Sequence, residues 1–297
     1  MQVRSRLTSA AVLAAAALAL SSSAASAARG PSAIPLPDGF GPESLTGHGS
    51  TLYAGSSTSG AVWAGSARTG RGTVLVPPQE GRSAFGTAVA GNRLVVAGGT
   101  TGNVYVYDRR TGADVRTFTL GEGAILNDVV VRNGVAWVTD TLSPVLWKVT
   151  LDGSAPPQRL QLVGYPTPAG SPGADGLVFD GATLIVGDIG SEQLLRVNPA
   201  TGATTPIRLG GAKLPMNDGL LRIGSRVWVA EGTGHLAEVR VSGGATGGRA
   251  LADRKVADAI VDVAKAGGGL WYMDAAFQQE PDPTAKAVIR RVPRALS

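Results

Sequence analysis

Five carboxylic acids recur at matching places along the chain and are the first candidates for chemistry. They open windows of similar sequence that start at intervals of 43, 42, 47, 43 and 44 residues, with a glycine in the second window. The six positions are Glu43, Gly86, Asp128, Asp175, Asp218 and Asp262. If these positions converge, the carboxyl groups must be protonated, paired with cations or bound to a metal, because like charges away from water repel. Oxygen-only ligands favour a hard cation: we expect Ca²⁺ first, then Mg²⁺ or Mn²⁺, and Zn²⁺ is also compatible.

A purely structural interpretation of the same acids stays open. Aspartate often accepts hydrogen bonds from nearby backbone N–H groups at turns, so a repeated Asp can simply belong to a repeated turn. The two histidines, His48 and His235, occupy different places in their windows and lie in Gly-containing turns, so we expect both at the surface. With no cysteine and only these histidines, neither a redox metal centre nor a covalent Ser-His-Asp or Cys-His mechanism is expected.

The windows predict the elements that must position the acids. Each one consists of a short apolar strand, a turn and a second apolar strand, and a period in the forties with this content is typical of propeller blades. Third strands are predicted at 103–107, 145–149 and 194–197, and outer strands at 115–120 and 205–209. The seventh place should hold a positive φ, since it is occupied by Gly49, Asn92, Gly134, Gly181, Gly224 and Gly268. The sequence therefore predicts an all-β, six-bladed β-propeller, whose first strands line a central channel and bring the acids together.

The ends and loops of this propeller can also be predicted. The last window leaves room for three strands, so residues 33–37 should supply the missing outer strand by pairing with 288–292 and close the ring. Residues 152–173 are expected to form a long Pro/Gly-rich connection, in which Tyr165 could help to roof the channel, and 276–286 a polar excursion within the last blade. Whether these loops shape a binding site or are solvated surface stays open. Trp137, Trp228 and Trp271 fall on strands and are expected in the core.

Composition excludes several classes of function. Without cysteine the chain has no disulfides and no thiolate metal site. Removing residues 1–27 would leave 25 basic and 22 acidic residues, scattered rather than clustered, so we expect no nucleic-acid partner and no polybasic membrane patch. No stretch after residue 27 is apolar enough for a membrane span. We expect a monomer that acts on a small molecule.

The first residues are typical of an export signal. Arg4 and Arg6 precede an apolar run at 10–20, and Ala25-Ser26-Ala27 supplies small residues for cleavage. This pattern predicts a signal peptide over 1–27, a secreted protein, and a single propeller domain over 28–297. A buried Ala-rich helix is the alternative interpretation of the same run.

Four motifs resemble the senescence marker protein/gluconolactonase/regucalcin family, within the calcium-dependent phosphotriesterase superfamily of six-bladed propellers. They cover parts of 39–275 and resemble the family's opening glutamate, Asn-Asp, Ser-Asn-Gly-Leu, and Asp-Gly-Met with Leu-Trp-Val-Ala motifs. In this chain they read Phe40-Gly41-Pro42-Glu43, Leu126-Asn127-Asp128, Ala174-Asp175-Gly176-Leu177, and Asn217-Asp218-Gly219-Leu220 with Trp228-Val229-Ala230. Two places depart from the family: Asp175 replaces an Asn, and Ser44-Leu45 lacks the strongly apolar character usual after the glutamate.

The resemblance implies a function and a set of residues. The metal ligands would be Glu43, Asp175, Asp218 and Asn127, with Asp218 as general base and Asn127 orienting the substrate by hydrogen bonding. The implied reaction is metal-assisted hydrolysis of a lactone or related ester. A non-enzymatic secreted propeller that binds a partner through its loops is the alternative, because the fold does not fix function. The roles of Asp128 and Asp262 stay open.

Overall fold

The described part of the chain, residues 30–293 of a computed structural model, folds into six four-stranded antiparallel sheets arranged as the blades of a β-propeller. The predicted all-β fold and the number of blades are confirmed. A single 3₁₀ turn, Gly243–Ala245, interrupts the strands of this part. Within it, no helix is long and apolar enough to cross a membrane. The predicted signal peptide over 1–27 lies outside the described residues.

The strands follow one another blade by blade along the chain, after an initial strand that belongs to the last blade. The initial strand is β1 (Ala33–Pro35). Blade 1 contains β2 (Pro42–His48), β3 (Thr51–Ser56), β4 (Val62–Ser66) and β5 (Gly72–Val76). Blade 2 contains β6 (Gly86–Ala90), β7 (Arg93–Ala97), β8 (Asn103–Asp108) and β9 (Asp114–Thr119). Blade 3 contains β10 (Leu126–Arg132), β11 (Val135–Asp140), β12 (Val145–Thr150) and β13 (Gln158–Gln161).

The second half repeats this arrangement. Blade 4 contains β14 (Ala174–Asp180), β15 (Thr183–Asp188), β16 (Gln193–Val197) and β17 (Thr204–Pro206). Blade 5 contains β18 (Asn217–Ile223), β19 (Arg226–Glu231), β20 (His235–Val241) and β21 (Gly248–Lys255). Blade 6 contains β22 (Ile260–Ala266), β23 (Gly269–Asp274), β24 (Val288–Arg291) and the initial strand β1. The predicted third strands are confirmed.

The core of the propeller lies between the blades. Each of the six apolar clusters joins side chains of two neighbouring blades, for example Trp63 of blade 1 with Trp271 of blade 6. The inner strands β2, β6, β10, β14, β18 and β22 form a closed ring, in which each contacts the inner strand on either side. Trp137, Trp228 and Trp271 are buried in these clusters, as expected. A single blade has no core of its own, so closure of the ring is a condition for burying apolar surface.

The predicted ring closure is confirmed. Strand β1 pairs antiparallel with β24, and Ile34 lies opposite Ile289 in that ladder. Ile34 is 1% exposed and packs in the cluster between blades 6 and 1. The N-terminal strand therefore covers the edge of β24 and adds apolar contact to the joint between the first and last blades.

The segment 152–173 differs from its expected form as one connection. It contains the outer strand of blade 3, because Gln158–Gln161 pairs with Val145–Lys148. The apolar pattern of this strand is weak because β12 is its partner on one side and solvent is on the other. The segment 276–286 lies between β23 and β24 in the last blade, as expected.

The turns between the first and second strands largely follow the prediction. The glycines at the seventh place have φ values of 61° at Gly49, 75° at Gly134, 57° at Gly181, 62° at Gly224 and 75° at Gly268. In blade 2 the expectation for Asn92 is wrong: Gly91 has the positive φ, 58°, and Asn92 does not. Glycine takes this conformation at lower cost than asparagine, so the turn is centred on Gly91.

Candidate functional site

The recurring acids lie where the inner strands of their blades are irregular. In blades 1, 3, 4, 5 and 6 the ladder between the first two strands shifts register at or beside the first-place residue. In blade 2, where glycine replaces the acid, the ladder is continuous from Gly86 to Ala90. A bulge bends the strand and re-aims a side chain, so it accounts for the way in which five carboxyl groups turn towards one another at this end of the channel.

The structure divides these acids into two groups, and the first is built into the backbone. Asp262 accepts hydrogen bonds from its neighbour Val263 N at 2.6 Å and from Leu45 N of the next blade at 2.6 Å. Asp128 does the same, with Val129 N at 2.7 Å and with a backbone N–H of blade 4 at 3.0 Å. Both carboxylates therefore fasten one blade to the next, and for these two residues the structural interpretation is confirmed.

In the described part of the chain, the second group accepts no hydrogen bond from the backbone of the next blade. The carboxyl groups of Asp175 and Asp218 lie close enough for each to change the pKa of the other. Asn127 donates Nδ2 protons to Asp175 Oδ2 at 3.0 Å and to Thr141 Oγ1 at 3.1 Å, which leaves its Oδ1 as an acceptor. Glu43 Oε2 and Asp175 Oδ1 are buried without a hydrogen-bond partner. We call Glu43, Asp175, Asp218 and Asn127 the axial acid site, with two orphaned oxygens on different blades.

Burial and mutual repulsion favour the protonated forms of these acids. The pKa of Glu43 is raised well above its usual range by burial and then by the charges of Asp175 and Asp262. Burial and the charge of Asp128 raise the pKa of Asp175 to about 8. The pKa of Asp218 is raised well above its usual range by burial, and then by the charges of Asp175 and Glu43. The site therefore needs protons or a cation at neutral pH.

Asp128 and Asp262, which we call the clamping acids, interact electrostatically with the axial acid site. Burial raises the pKa of Asp128 to about 7, although two backbone N–H groups oppose the shift. Burial and the charge of Asp128 raise the pKa of Asp262 well above its usual range, again against two such hydrogen bonds. All five carboxyl groups are consequently coupled, and a cation at any of them would change the protonation of the others.

Tyr165, from the segment that was expected to roof the channel, lies beside this end of blade 4. Its hydroxyl donates a hydrogen bond to Asp188, and Thr167 Oγ1 donates to the other oxygen of the same carboxylate at 2.7 Å. Burial, the hydrogen bond to Asp188, and the charges of Asp188 and Asp175 raise the pKa of Tyr165. The loop is thus anchored at the end of β15, where Tyr165 is close enough to Asp175 for that charge to raise its pKa.

The channel itself continues from the acids towards the opposite face of the ring. Its cavity of about 480 Å³ is lined by all six inner strands, with Asp128 and Asp262 among the lining residues. The far end carries basic side chains, of which Arg222 pairs with the buried Asp180, and Arg132 lies over the Phe179 ring at 3.8 Å. A compact organic molecule of moderate size would fit this volume.

A further cluster was not anticipated from the sequence. Among residues 30–293, one set of three acid or histidine side chains brings a ligand atom from each within 4.8 Å of the others, and it consists of Glu231, His235 and Asp253. His48 is exposed, as expected, whereas His235 is only partly exposed. The only trace of this cluster in the sequence is the spacing of four residues between Glu231 and His235. Asp253 lies on β21, which only the fold places beside β20. Metal binding by the axial acid site stays a prediction.

Comparison with known proteins supports the β-propeller fold. No protein-family model matches the chain, and no curated protein matches it. The major Malassezia sympodialis allergen Mala s 1 aligns with a TM-score of 0.72 and 14% identity, over 90% of this chain and 97% of the allergen. Virginiamycin B lyase from Staphylococcus aureus aligns with a TM-score of 0.57 and 12% identity, over 88% of this chain and 99% of the lyase.

A third propeller of similar fold occurs in a nidogen/laminin complex. It aligns with a TM-score of 0.60 and 17% identity, over 72% of this chain and 80% of that one. These neighbours include both an enzyme and proteins named for other properties. At such identities the resemblance shows a common fold, and function has to be argued from the site.

Proposed function

We propose that this chain is a divalent-cation-dependent hydrolase of a lactone or related ester, with its centre at the axial acid site. One observation supports the proposal most directly. Glu43 Oε2 and Asp175 Oδ1 are buried without any partner, whereas Asp262 and Asp128 nearby accept hydrogen bonds from the backbone of the next blade. An unpaired buried carboxylate oxygen is costly, and a hard cation bound at this site would offset that cost.

The residues fit such an ion by their chemistry. Glu43, Asp175 and Asp218 offer carboxylate oxygens, and Asn127 offers an amide oxygen whose nitrogen is held by Asp175 and Thr141. All are hard oxygen donors, which Ca²⁺, Mg²⁺ and Mn²⁺ prefer. When bound, the cation would polarise the substrate carbonyl and hold the surrounding carboxyl groups in their ionised form.

The side chains of the site would do the remaining work. Ionised Asp218 would accept a proton from the attacking water as a general base, and burial, which raises its pKa, makes it a stronger base than an exposed aspartate. Asn127, fixed by two hydrogen bonds, would present its oxygen in a constant orientation. Tyr165 would limit access of water from the side of blade 4. We also propose that residues 1–27 direct export of the protein. The exported protein would be a monomer.

The alternative is a binding propeller without catalytic activity. It is favoured by the roles of Asp128 and Asp262, which show that a repeated acid in this chain can serve to join blades. One fold neighbour occurs in a nidogen/laminin complex, and another is an allergen. In this alternative Glu43, Asp175 and Asp218 would be protonated residues of the joint between blades.

Calorimetric titration distinguishes the two functions. Ca²⁺, Mg²⁺ and Mn²⁺ are titrated into chelator-treated residues 28–297, into Glu43→Gln, and into Glu122→Gln, which removes an exposed acid as the control. For Ca²⁺ and Mg²⁺ we expect one binding event, and for each ion a binding event that Glu43→Gln weakens and Glu122→Gln leaves unchanged. Hydrolysis of a panel of lactones and esters is then measured with the preferred cation, and Asp218→Asn should abolish it.

The outcomes separate metal binding from catalysis. Absence of binding to the wild type, or equal binding to Glu43→Gln, would overturn the axial metal site and favour the binding propeller. Binding without hydrolysis of any substrate in the panel would contradict the proposed activity while retaining the site. Asp175→Asn should bind more weakly than the wild type but remain a metal protein, since an amide oxygen replaces a carboxylate.

A further inference from the structure

Three side chains on blade 5 meet on adjacent strands, away from the axial acid site. Glu231 ends β19 and His235 begins β20, and the two residues lie directly opposite each other in the ladder. Asp253 lies on β21, opposite Ala237 and therefore diagonal to His235. The three strands are consecutive neighbours in one sheet, so the backbone holds the side chains in fixed relative positions.

The donor atoms are spaced as the ligands of one ion are. His235 Nδ1 lies 2.7 Å from Asp253 Oδ1, and one ligand atom from each of the three residues lies within 4.8 Å of the others. Two bonds of roughly 2.1 Å that meet at a right angle place their donors about 3 Å apart, and opposite donors lie about 4.2 Å apart. The separations in the cluster, 2.7 Å for one pair and within 4.8 Å for the others, are thus of the size found between ligands of one ion.

The carboxylate of Glu231 is buried and incompletely satisfied. The residue is 1% exposed, its Oε1 has no hydrogen-bond partner, and its Oε2 accepts only a long contact of 3.4 Å from Thr233. The residues at the same place in other blades differ. Asp188 accepts hydrogen bonds from Thr167 and Ser191, and Asp274 pairs with Arg290. Glu231 therefore departs from the repeat by leaving a buried oxygen free.

The charges of the cluster favour binding of a cation beside Glu231. Burial and the charge of Asp253 raise the pKa of Glu231 to about 7. Lys255 lies opposite His235 in the ladder, but its ammonium donates to the backbone oxygens of Thr233 and Asp258, at 2.6 and 3.4 Å. Its hydrogen bonds are thus to carbonyl groups rather than to Glu231. A divalent ion would supply the missing positive charge next to a buried carboxylate.

We propose that Glu231, His235 and Asp253 form a second metal site, which binds a first-row divalent ion of the Zn²⁺ or Mn²⁺ type and joins three strands of blade 5. The donor set selects this class because imidazole suits Zn²⁺ and carboxylates suit Mn²⁺, whereas Ca²⁺ prefers oxygen ligands alone. His235 and Asp253 have side-chain exposures of 36% and 56%, so the ion can enter from solvent and keep water ligands. The site is independent of the proposed function.

The experiment uses residues 28–297 without an affinity tag, because the chain has two histidines of its own. Zn²⁺ is titrated calorimetrically with Ca²⁺ in large excess, so that an oxygen-only axial site is already filled. We expect one Zn²⁺ to bind to the wild type, and binding at least about tenfold weaker to His235→Gln, which removes one of three ligands. His48→Gln, which alters the other histidine, is the matched control and should bind as the wild type does.

A second readout locates the ion. Mn²⁺ broadens nuclear resonances near it, so substoichiometric Mn²⁺, added with the same excess of Ca²⁺, should erase the imidazole signals of His235 and leave those of His48 sharp. Melting temperature should rise with Zn²⁺ in the wild type by mass action on the folded state, and not in Asp253→Asn. Both substituted residues are partly exposed, so the metal-free variants should fold and melt close to the wild type.

Three results would overturn the site. The first is a wild type that binds no Zn²⁺ with Ca²⁺ present. The second is a His235→Gln variant with wild-type affinity, and the third is equal broadening of the two histidines by Mn²⁺. Any of them would leave His235 and Asp253 as a hydrogen-bonded pair beside the buried Glu231.

Discussion

Asp128 of blade 3 and Asp262 of blade 6 make the same pair of hydrogen bonds. Each accepts from the residue that follows it and from a backbone N–H of the next blade, Leu177 N for Asp128 and Leu45 N for Asp262. The two clamps are three blades apart and therefore lie on opposite sides of the ring. Repetition of one geometry at two distant places indicates a common structural purpose, which is to hold neighbouring inner strands together.

Replacing either clamping aspartate with alanine should destabilise the propeller. Asp262→Ala leaves the N–H groups of Leu45 and Val263 without this acceptor, which should cost about 1–3 kcal/mol. Asp128→Ala should cost a similar amount. Urea unfolding at mildly acidic pH, where repulsion among the acids is small, measures the loss. The exposed Asp258→Ala is the control, and a clamp variant as stable as this control would contradict the assignment.

Stability of the metal-free protein should fall as pH rises from about 4 to about 8. The pKa values of Asp128, about 7, and Asp175, about 8, exceed those in the unfolded chain, so the folded state binds more protons. The stabilisation is therefore complete below the unfolded pKa, near 4, and is lost as pH passes the folded values. Urea unfolding of chelator-treated protein across this interval checks the slope.

The Asp218→Asn variant tests the origin of that slope. It removes one of the repelling acids, so its stability should depend less on pH than that of the wild type. If the stability of the metal-free wild type stays constant or increases over this interval, the five acids of the channel do not control its pH dependence.

The turn glycines should resist substitution for conformational reasons alone. Gly134, Gly181 and Gly224 have φ values of 75°, 57° and 62°, and a methyl group at each would meet no atom within 4 Å. Each change to alanine should therefore cost about 1–2 kcal/mol, from the left-handed backbone. Gly243, equally open but without a positive φ, is the control, and Gly243→Ala should be neutral or stabilising. Thermal unfolding that does not separate the two groups would refute this explanation.

Closure of the ring should depend on the apolar contact of β1. Ile34→Ala removes a side chain that is 1% exposed in the cluster between blades 6 and 1, and should cost about 2–5 kcal/mol. Deletion of residues 31–38 should in addition expose the edge of β24 and promote aggregation. Val115→Ala, at a position 41% exposed, is the control for the loss of methyl groups. Melting curves and light scattering measure both effects, and a deletion that melts like the full chain would rule out the closure.

Much of the fold was determined by the sequence alone, because its signals are local and repeated. The spacing of the windows predicts six blades, and the glycine-containing turns predict where their first hairpins reverse. The strand at 33–37 was placed in the last blade by counting strands, and its pairing with β24 confirms this. The outer strand Gln158–Gln161 escaped prediction because one of its edges faces solvent and its residues show no clear apolar alternation.

The roles of the acids were decided by the tertiary structure. Five acids occupy equivalent places in the sequence, yet Asp262 meets an N–H 217 residues away, while Glu43 Oε2 meets no partner. The cluster of Glu231, His235 and Asp253 likewise depends on pairing between strands. A carboxyl group acquires its pKa and its function from the groups within a few ångströms of it. The repeat brings these acids to one end of the channel, and only the packing of neighbouring blades determines which of their oxygens stay free.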